Sequence, residues 1–280
     1  MKITAYNRFM ADLSRGGAQY AAEHCASLGF DSVELLDRCG TAPSTLKEKY
    51  TAEEICEALE KHGLQVACFS SYANLLCEDK AFFECEIRRQ IDYAAAIGSP
   101  NFHHTIIPGL KISEKMPTYE EVFEEIAERT ESIAHYCAER GINCLYEPQG
   151  LYFNGREGLG RLIRRLRESC PNVGLCADVG NSLFVDDDPV ELFRELAPYA
   201  MHVHVKDYRI SNAPLELPNP LRSKGGTWLY DVEIGKGDIH IAECLTQLKN
   251  AGYNGYISLE VSGDDQEMKD AIEYVRSIYR

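Results

Sequence analysis

No stretch of this chain approaches the roughly 18 uninterrupted apolar residues of a membrane-spanning helix, so no membrane association is expected. Basic residues are in short supply, 29 Lys and Arg against 44 Asp and Glu, and the formal net charge is −15. Proteins that grip a phosphate backbone carry a basic face, because counterion release supplies much of their affinity, so no nucleic-acid partner is expected. The eleven cysteines form no Cys-x-x-Cys pair, their number is odd, and Met1-Lys-Ile-Thr-Ala-Tyr-Asn7 reads as a strand rather than a signal peptide. Reduced thiols in a cytoplasmic protein are the expectation. No Gly-x-Gly-x-x-Gly opens the first strand-to-helix turn, no P-loop occurs, and no linker or low-complexity segment interrupts the 280 residues. A doubly wound open sheet is therefore the weaker fold reading, and residues 1–280 are expected to form one domain.

What the chain does have is one alternating pattern from end to end. Short apolar or β-branched runs lie at 2–7, 31–36, 65–70, 101–106, 143–147, 173–178, 200–206 and 256–261. Longer amphipathic stretches lie between and after them, near 17–28, 51–63, 80–97, 118–140, 156–169, 188–198, 238–251 and 265–279. Thr51-Ala-Glu-Glu54 and Thr118-Tyr-Glu-Glu121 each place a capping hydroxyl ahead of acidic first-turn residues. Strand–helix alternation repeated eight times predicts parallel strands with right-handed crossovers. Eight such units in 280 residues are the size of a single-domain α/β (β/α)8 TIM barrel.

In such a barrel the strand tips build the active site. Four strand tips in the second half carry Glu147, Asp178, His204 and Glu260. Three carboxylates and one imidazole, with no thiolate, suit a divalent ion such as Mn²⁺, with Mg²⁺ or Co²⁺ as alternatives, better than a structural Zn²⁺. Alternation along the strands supports the grouping. His202, His204 and Lys206 share the axial face while Met201, Val203 and Val205 face the helices; Tyr256, Ser258 and Glu260 point inward while Ile257, Leu259 and Val261 point out.

These motifs resemble the xylose isomerase-like TIM barrels, which include sugar isomerases and epimerases, inosose dehydratases and endonuclease IV. The resemblance spans essentially the whole chain and is sharpest in His202-Val-His-Val-Lys-Asp207, Ile234-Gly-Lys-Gly-Asp-Ile239 and Ala251-Gly-Tyr-Asn-Gly-Tyr-Ile-Ser-Leu-Glu260. By likeness to the ketose 3-epimerases, Glu147, Asp178, His204 and Glu260 would hold the metal, and Glu147 and Glu260 would double as acid and base. The resemblance implies proton abstraction beside a carbonyl through an enediolate, with a sugar or polyol as substrate. A dehydratase or lyase on the same metal site is the alternative, and a DNA-repair endonuclease a more distant one. Epimerases usually carry a His where this chain has Asn181, and an Arg where it has Ile210, next to Arg209. Dimers and tetramers are common in the resembling family, so a homo-oligomer is open.

Further residues are candidates for holding the substrate. His103 and His104 close the fourth strand, and one of them should face the axis. Glu34 interrupts the apolar run Ser32-Val-Glu-Leu-Leu36 and needs a partner: a substrate hydroxyl, or a basic residue such as Arg38. Lys206 sits two residues past His204 on the same face, and Asn181 and Asn7 follow strand ends. The Pro- and Gly-rich segment 210–232 holds the single tryptophan and reads as a substrate lid, or else as a partner-binding arm.

Overall fold

The computed structural model describes residues 1–39, 46–111, 116–261 and 263–279. Strand β1 (Lys2–Ala5) leads into α1 (Asn7–Leu28), β2 (Ser32–Arg38), the single turn α2 (Leu46–Lys49), α3 (Ala52–Lys61) and β3 (Gln65–Tyr72). Next come α4 (Lys80–Ala96), β4 (Asn101–His104), α5 (Tyr119–Glu139), β5 (Asn143–Tyr146), α6 (Gly155–Arg167) and β6 (Val173–Asp178). The chain continues through a 3-10 turn (Asn181–Val185), α7 (Pro189–Leu196) and β7 (Ala200–Val205). Then follow β8 (Asp207–Ser211), β9 (Leu221–Arg222), β10 (Trp228–Val232), α8 (Ile241–Asn250), β11 (Tyr256–Leu259) and α9 (Asp265–Tyr279). Eight strands close in the order β1-β11-β7-β6-β5-β4-β3-β2, the (β/α)8 TIM barrel that the alternation predicts.

Local chemistry starts the helices where it should. Thr51 and Glu54 exchange side-chain and backbone hydrogen bonds in a capping box, as do Thr118 and Glu121. The first helix departs from expectation: it begins at Asn7 rather than near residue 17. Gly16 and Gly17 lie inside it, and Gly17 (φ 80°) only kinks it. Segment 210–232 also differs from a plain loop. It contributes to a small antiparallel sheet of order β8-β10-β9 outside the barrel. Backbone pairing there satisfies groups that an irregular excursion would leave to water.

The barrel packs on its helices through outward residues such as Ile3, Val33, Phe69, Phe102, Val203 and Ile257, all buried. Met201 is an exception to the expected alternation. An irregularity in the β6–β7 register precedes His202, and the Met201 side chain lies against Gly174, where a Cβ would approach its sulfur to 2.6 Å. The barrel interior is polar toward its top. Thr4, Ser32, Glu34, Ser70, His103, His202, His204 and Ser258 are all buried, where branched aliphatics are the usual filling. A buried polar interior is tolerable only if its members satisfy one another, and they do so around Glu34. Among the described residues no helix is long and apolar enough to cross a membrane, and no disulfide joins any of the eleven cysteines.

Candidate metal centre and active-site pocket

Register brings the four strand-tip residues together. Asp178 pairs across β6–β7 with His204, which pairs across β7–β11 with Ser258, two residues short of Glu260. Donor atoms of Glu147, Asp178, His204 and Glu260 lie within 4.8 Å of one another. His204 Nδ1 is 2.8 Å from Glu147 Oε1 and 3.7 Å from Glu260 Oε2. Asp178 Oδ1 accepts the backbone N–H groups of Gly180 (2.7 Å) and Asn181 (2.6 Å), which aims Oδ2 at the cluster. Asp178 Oδ2 and Glu260 Oε2 are buried and lack a well-formed hydrogen bond, although Lys206 Nζ stands 3.1 and 2.6 Å from them. Such oxygens, converging with an imidazole nitrogen, could hold a divalent metal ion.

The electrostatics follow from burial working against partners. Burial pushes the Glu147 carboxyl up to about 7, against the pull of His204. Burial pulls His204 down, but Cys176, Glu34 and Glu147 outweigh it and hold the ring well above the ordinary histidine value. For Lys206, burial is likewise overcome, by Asp178 and Glu260, and the ammonium stays charged. Burial and the neighbouring His204 keep His103 well below the usual value, so this ring is neutral.

A cavity of about 450 Å³ opens beside the cluster, lined in part by Asn7, Gln149, Asn181, Lys206, Tyr208 and Glu260. Asn181 Oδ1 accepts a hydrogen bond from Lys206 Nζ at 3.0 Å. Both asparagines therefore stand at the pocket. Segment 210–232 contributes Leu221, Asp231 and Val232 to its wall. Arg209 does not reach the pocket; its guanidinium is spent on Asp238 and the carbonyl of Lys236.

The two strand-4 histidines separate cleanly. His103 faces the axis, with Nδ1 3.0 Å from Ser70 Oγ and Nε2 3.5 Å from Glu147 Oε2. His104 does not face the substrate side, which corrects that expectation. It shares the outward face with Phe102, packs edge-on against Tyr146 and bonds the carbonyl of Thr105. Glu34 is also displaced from its expected place. It is fully buried beneath the cluster and bonds Ser70, Ser258, His202 and His204, with neither a place in the pocket wall nor a bond to Arg38.

Three contributors escape sequence reasoning. Gln149 has a buried, unpartnered Oε1 and lines the pocket; its only signal is its place two residues after Glu147. Tyr6 stacks on His204 with ring centroids 5.3 Å apart. Asp207 ties together two motifs that are separate in sequence. Its Oδ2 accepts the N–H groups of Gly235 and Gly237 at 2.9 Å each, and its Oδ1 those of Tyr208 at 2.9 Å and Ile239 at 3.3 Å. Gly237 must be glycine for this approach, since a Cβ there would lie 2.1 Å from Asp207 Oδ1.

Comparison with known proteins agrees with this fold. An inosose dehydratase of Geobacillus kaustophilus (strain HTA426) is 24% identical over 257 residues, covering 85% of this chain and 78% of that protein. A zinc-bound IolI protein superposes with a TM-score of 0.75 at 14% identity, covering 99% and 98% of the two chains. A D-allulose 3-epimerase from Methylomonas sp. gives 0.74 at 17% identity, covering 99% and 98%. The family model of the xylose isomerase-like TIM barrel matches residues 22–278. With its closed barrel and its strand-tip cluster, the chain belongs to the xylose isomerase-like TIM barrel family.

Proposed function

We propose that this chain is a metal-dependent sugar isomerase or epimerase that removes a proton beside a carbonyl and returns one after an enediolate has formed. The observation that carries this reading is the pair of carboxylates, Glu147 and Glu260, meeting at His204 Nδ1 from the tips of different strands. A dication held by Glu147, Asp178, His204 and Glu260 would supply Lewis acidity, making the neighbouring proton acidic and holding the negative charge that develops. Glu147 or Glu260 takes the proton, and the other delivers one to the opposite face. Lys206 and the unpartnered Nε2 of His103 steady the substrate oxygens.

The pocket favours a neutral substrate. Among its described lining residues Lys206 is the one Lys or Arg. Asp207, Asp231, Glu233 and Glu267 share the same wall and would repel a phosphate or carboxylate. A free sugar or polyol-derived ketone therefore suits it, with Mn²⁺ first and Mg²⁺ or Co²⁺ next as the ion. A second reading shares the proton abstraction but follows it with departure of a neighbouring hydroxyl. Its support is that matched curated relatives are inosose dehydratases.

The test is incubation of Mn²⁺-loaded protein with ketoses and inososes in D₂O, with products read by NMR. Deuterium at the carbon beside the carbonyl, lost in Glu260→Gln, supports proton abstraction. An epimer or isomer then favours the first reading, and an elimination product the second. No exchange on any compound, despite tight ion binding, would refute the neutral-sugar reading.

A further inference from the structure

Glu34 has more to do than balance a charge. Its carboxylate is surrounded by four groups able to donate. Ser70 Oγ lies 2.5 Å from Oε1, and His204 Nε2 lies 3.0 Å from Oε1 and 3.1 Å from Oε2. His202 Nε2 lies 2.8 Å from Oε2, which also accepts from the Ser258 hydroxyl. Four polar contacts converge on its two oxygens and fill the four accepting positions of a carboxylate. An ionised carboxylate only accepts, and its lone pairs match four donors. Each neighbour must therefore turn a hydrogen toward Glu34.

Two consequences follow for rings at the mouth. His204 spends its Nε2–H on Glu34, which leaves Nδ1, the nitrogen beside Glu147 and Glu260, to face the donor cluster. Ser70 has a single proton and gives it to Glu34, so it must accept from His103, whose Nδ1 is 3.0 Å away. His103 then carries its proton on Nδ1. Its Nε2 is an acceptor, and it is an unpartnered buried atom 3.5 Å from Glu147 Oε2.

We propose that Glu34 is a positioning residue that sets the orientation and tautomer of both rings: it presents the His204 Nδ1 lone pair to a divalent ion and, through Ser70, the His103 Nε2 lone pair to a substrate hydroxyl. The inference rests on the metal reading under Proposed function and adds the residue that holds that site in its working form. Glutamine cannot replace Glu34, because one amide oxygen accepts two hydrogens at most and the amide nitrogen points its own at a donor.

The experiment uses full-length protein labelled with ¹⁵N-histidine and loaded with diamagnetic Zn²⁺, with ring nitrogens assigned by long-range proton–nitrogen correlation. Ion affinity is measured separately by competition with a chromophoric chelator. In the wild type His204 should be protonated at Nε2 and ion-bound at Nδ1, and His103 protonated at Nδ1. Glu34→Gln should weaken ion binding by about 10- to 100-fold and disturb both ring patterns. Ser70→Ala should disturb the His103 pattern alone and leave the affinity unchanged. A wild-type His103 protonated at Nε2 overturns the relay even if neither variant folds. Zn²⁺ binding in Glu34→Gln equal to wild type, with unaltered ring patterns, overturns the inference while the metal reading stands. Failure of the wild type to bind Zn²⁺ at His204 overturns both.

Discussion

Replacing Asp207 by asparagine keeps the side chain's shape and removes half its accepting capacity. In the folded protein its two oxygens accept four backbone N–H groups, from Tyr208, Gly235, Gly237 and Ile239. The amide oxygen of asparagine can keep two of these, while its nitrogen turns hydrogens toward the other two. An orphaned buried donor costs about 1–3 kcal/mol; Tyr208 and Ile239 are buried, Gly237 is half-buried and Gly235 is exposed, so an amide oxygen that keeps the buried pair leaves a loss of about 1–3 kcal/mol. At about 2.1 cal/mol/K of unfolding entropy per residue, a chain of 280 residues should lose about 2–5 °C in Tm. Thermal unfolding of the metal-free protein, followed by circular dichroism, reads the shift. Gly237→Ala should also destabilise, because its Cβ would meet Asp207 Oδ1 at 2.1 Å. The two changes act on one carboxylate, so in an Asp207→Ala background Gly237→Ala should cost less, by at least about 0.5 kcal/mol. Some cost would remain, since the same Cβ would stand 2.6 Å from the carbonyl of Tyr208. A Tm unchanged in Asp207→Asn, or strictly additive changes, would refute the argument that this carboxylate organises the turn beside the pocket.

Lys206→Met should tighten divalent-ion binding about tenfold, because the ammonium competes for Asp178 and Glu260; chelator competition yielding equal or weaker affinity would contradict this. His104→Phe should leave ion affinity and turnover unchanged, since this ring packs on Tyr146 outside the barrel, whereas His103→Asn should lower turnover; steady-state kinetics would refute the assignment by showing the reverse. The metal-free protein should be most stable near pH 6.5, the unperturbed histidine value of about 6.5. Below it, unfolded His103 and His202 bind protons that the buried, neutral folded rings refuse, so stability falls with pH. Glu147, raised to about 7, offsets part of that loss by holding one proton in the folded state. Above it, the contribution of His204, whose folded value is raised, fades as pH rises through that value. Denaturant unfolding between pH 5.5 and 8.5 reads the profile, and a flat one would mean that the rings do not titrate as their burial requires.

The barrel and the strand-tip cluster were legible in the sequence because both rest on local periodicity. Alternation with period two puts His202, His204 and Lys206 on one face whatever lies opposite, and apolar runs separated by amphipathic stretches specify parallel crossovers. Thr51 and Thr118 declared their helices through bonds that span three residues. What period alone does not carry is register and partnership. Whether His103 or His104 faces the axis depends on how β4 pairs with its neighbours, since a one-residue slip exchanges the two faces. The charge of Glu34 inside an apolar run announced that a partner was required, but its four partners come from β3, β7 and β11, up to 224 residues away. Likewise Asp207 and Gly237 looked like members of two separate motifs until the fold set one against the other. Sequence by itself determined which residues share a face along most elements, Met201 excepted, because that follows from backbone geometry within a few residues. Tertiary structure alone decided which of those faces meet, because long-range pairing depends on packing and loop closure that no short window of sequence contains.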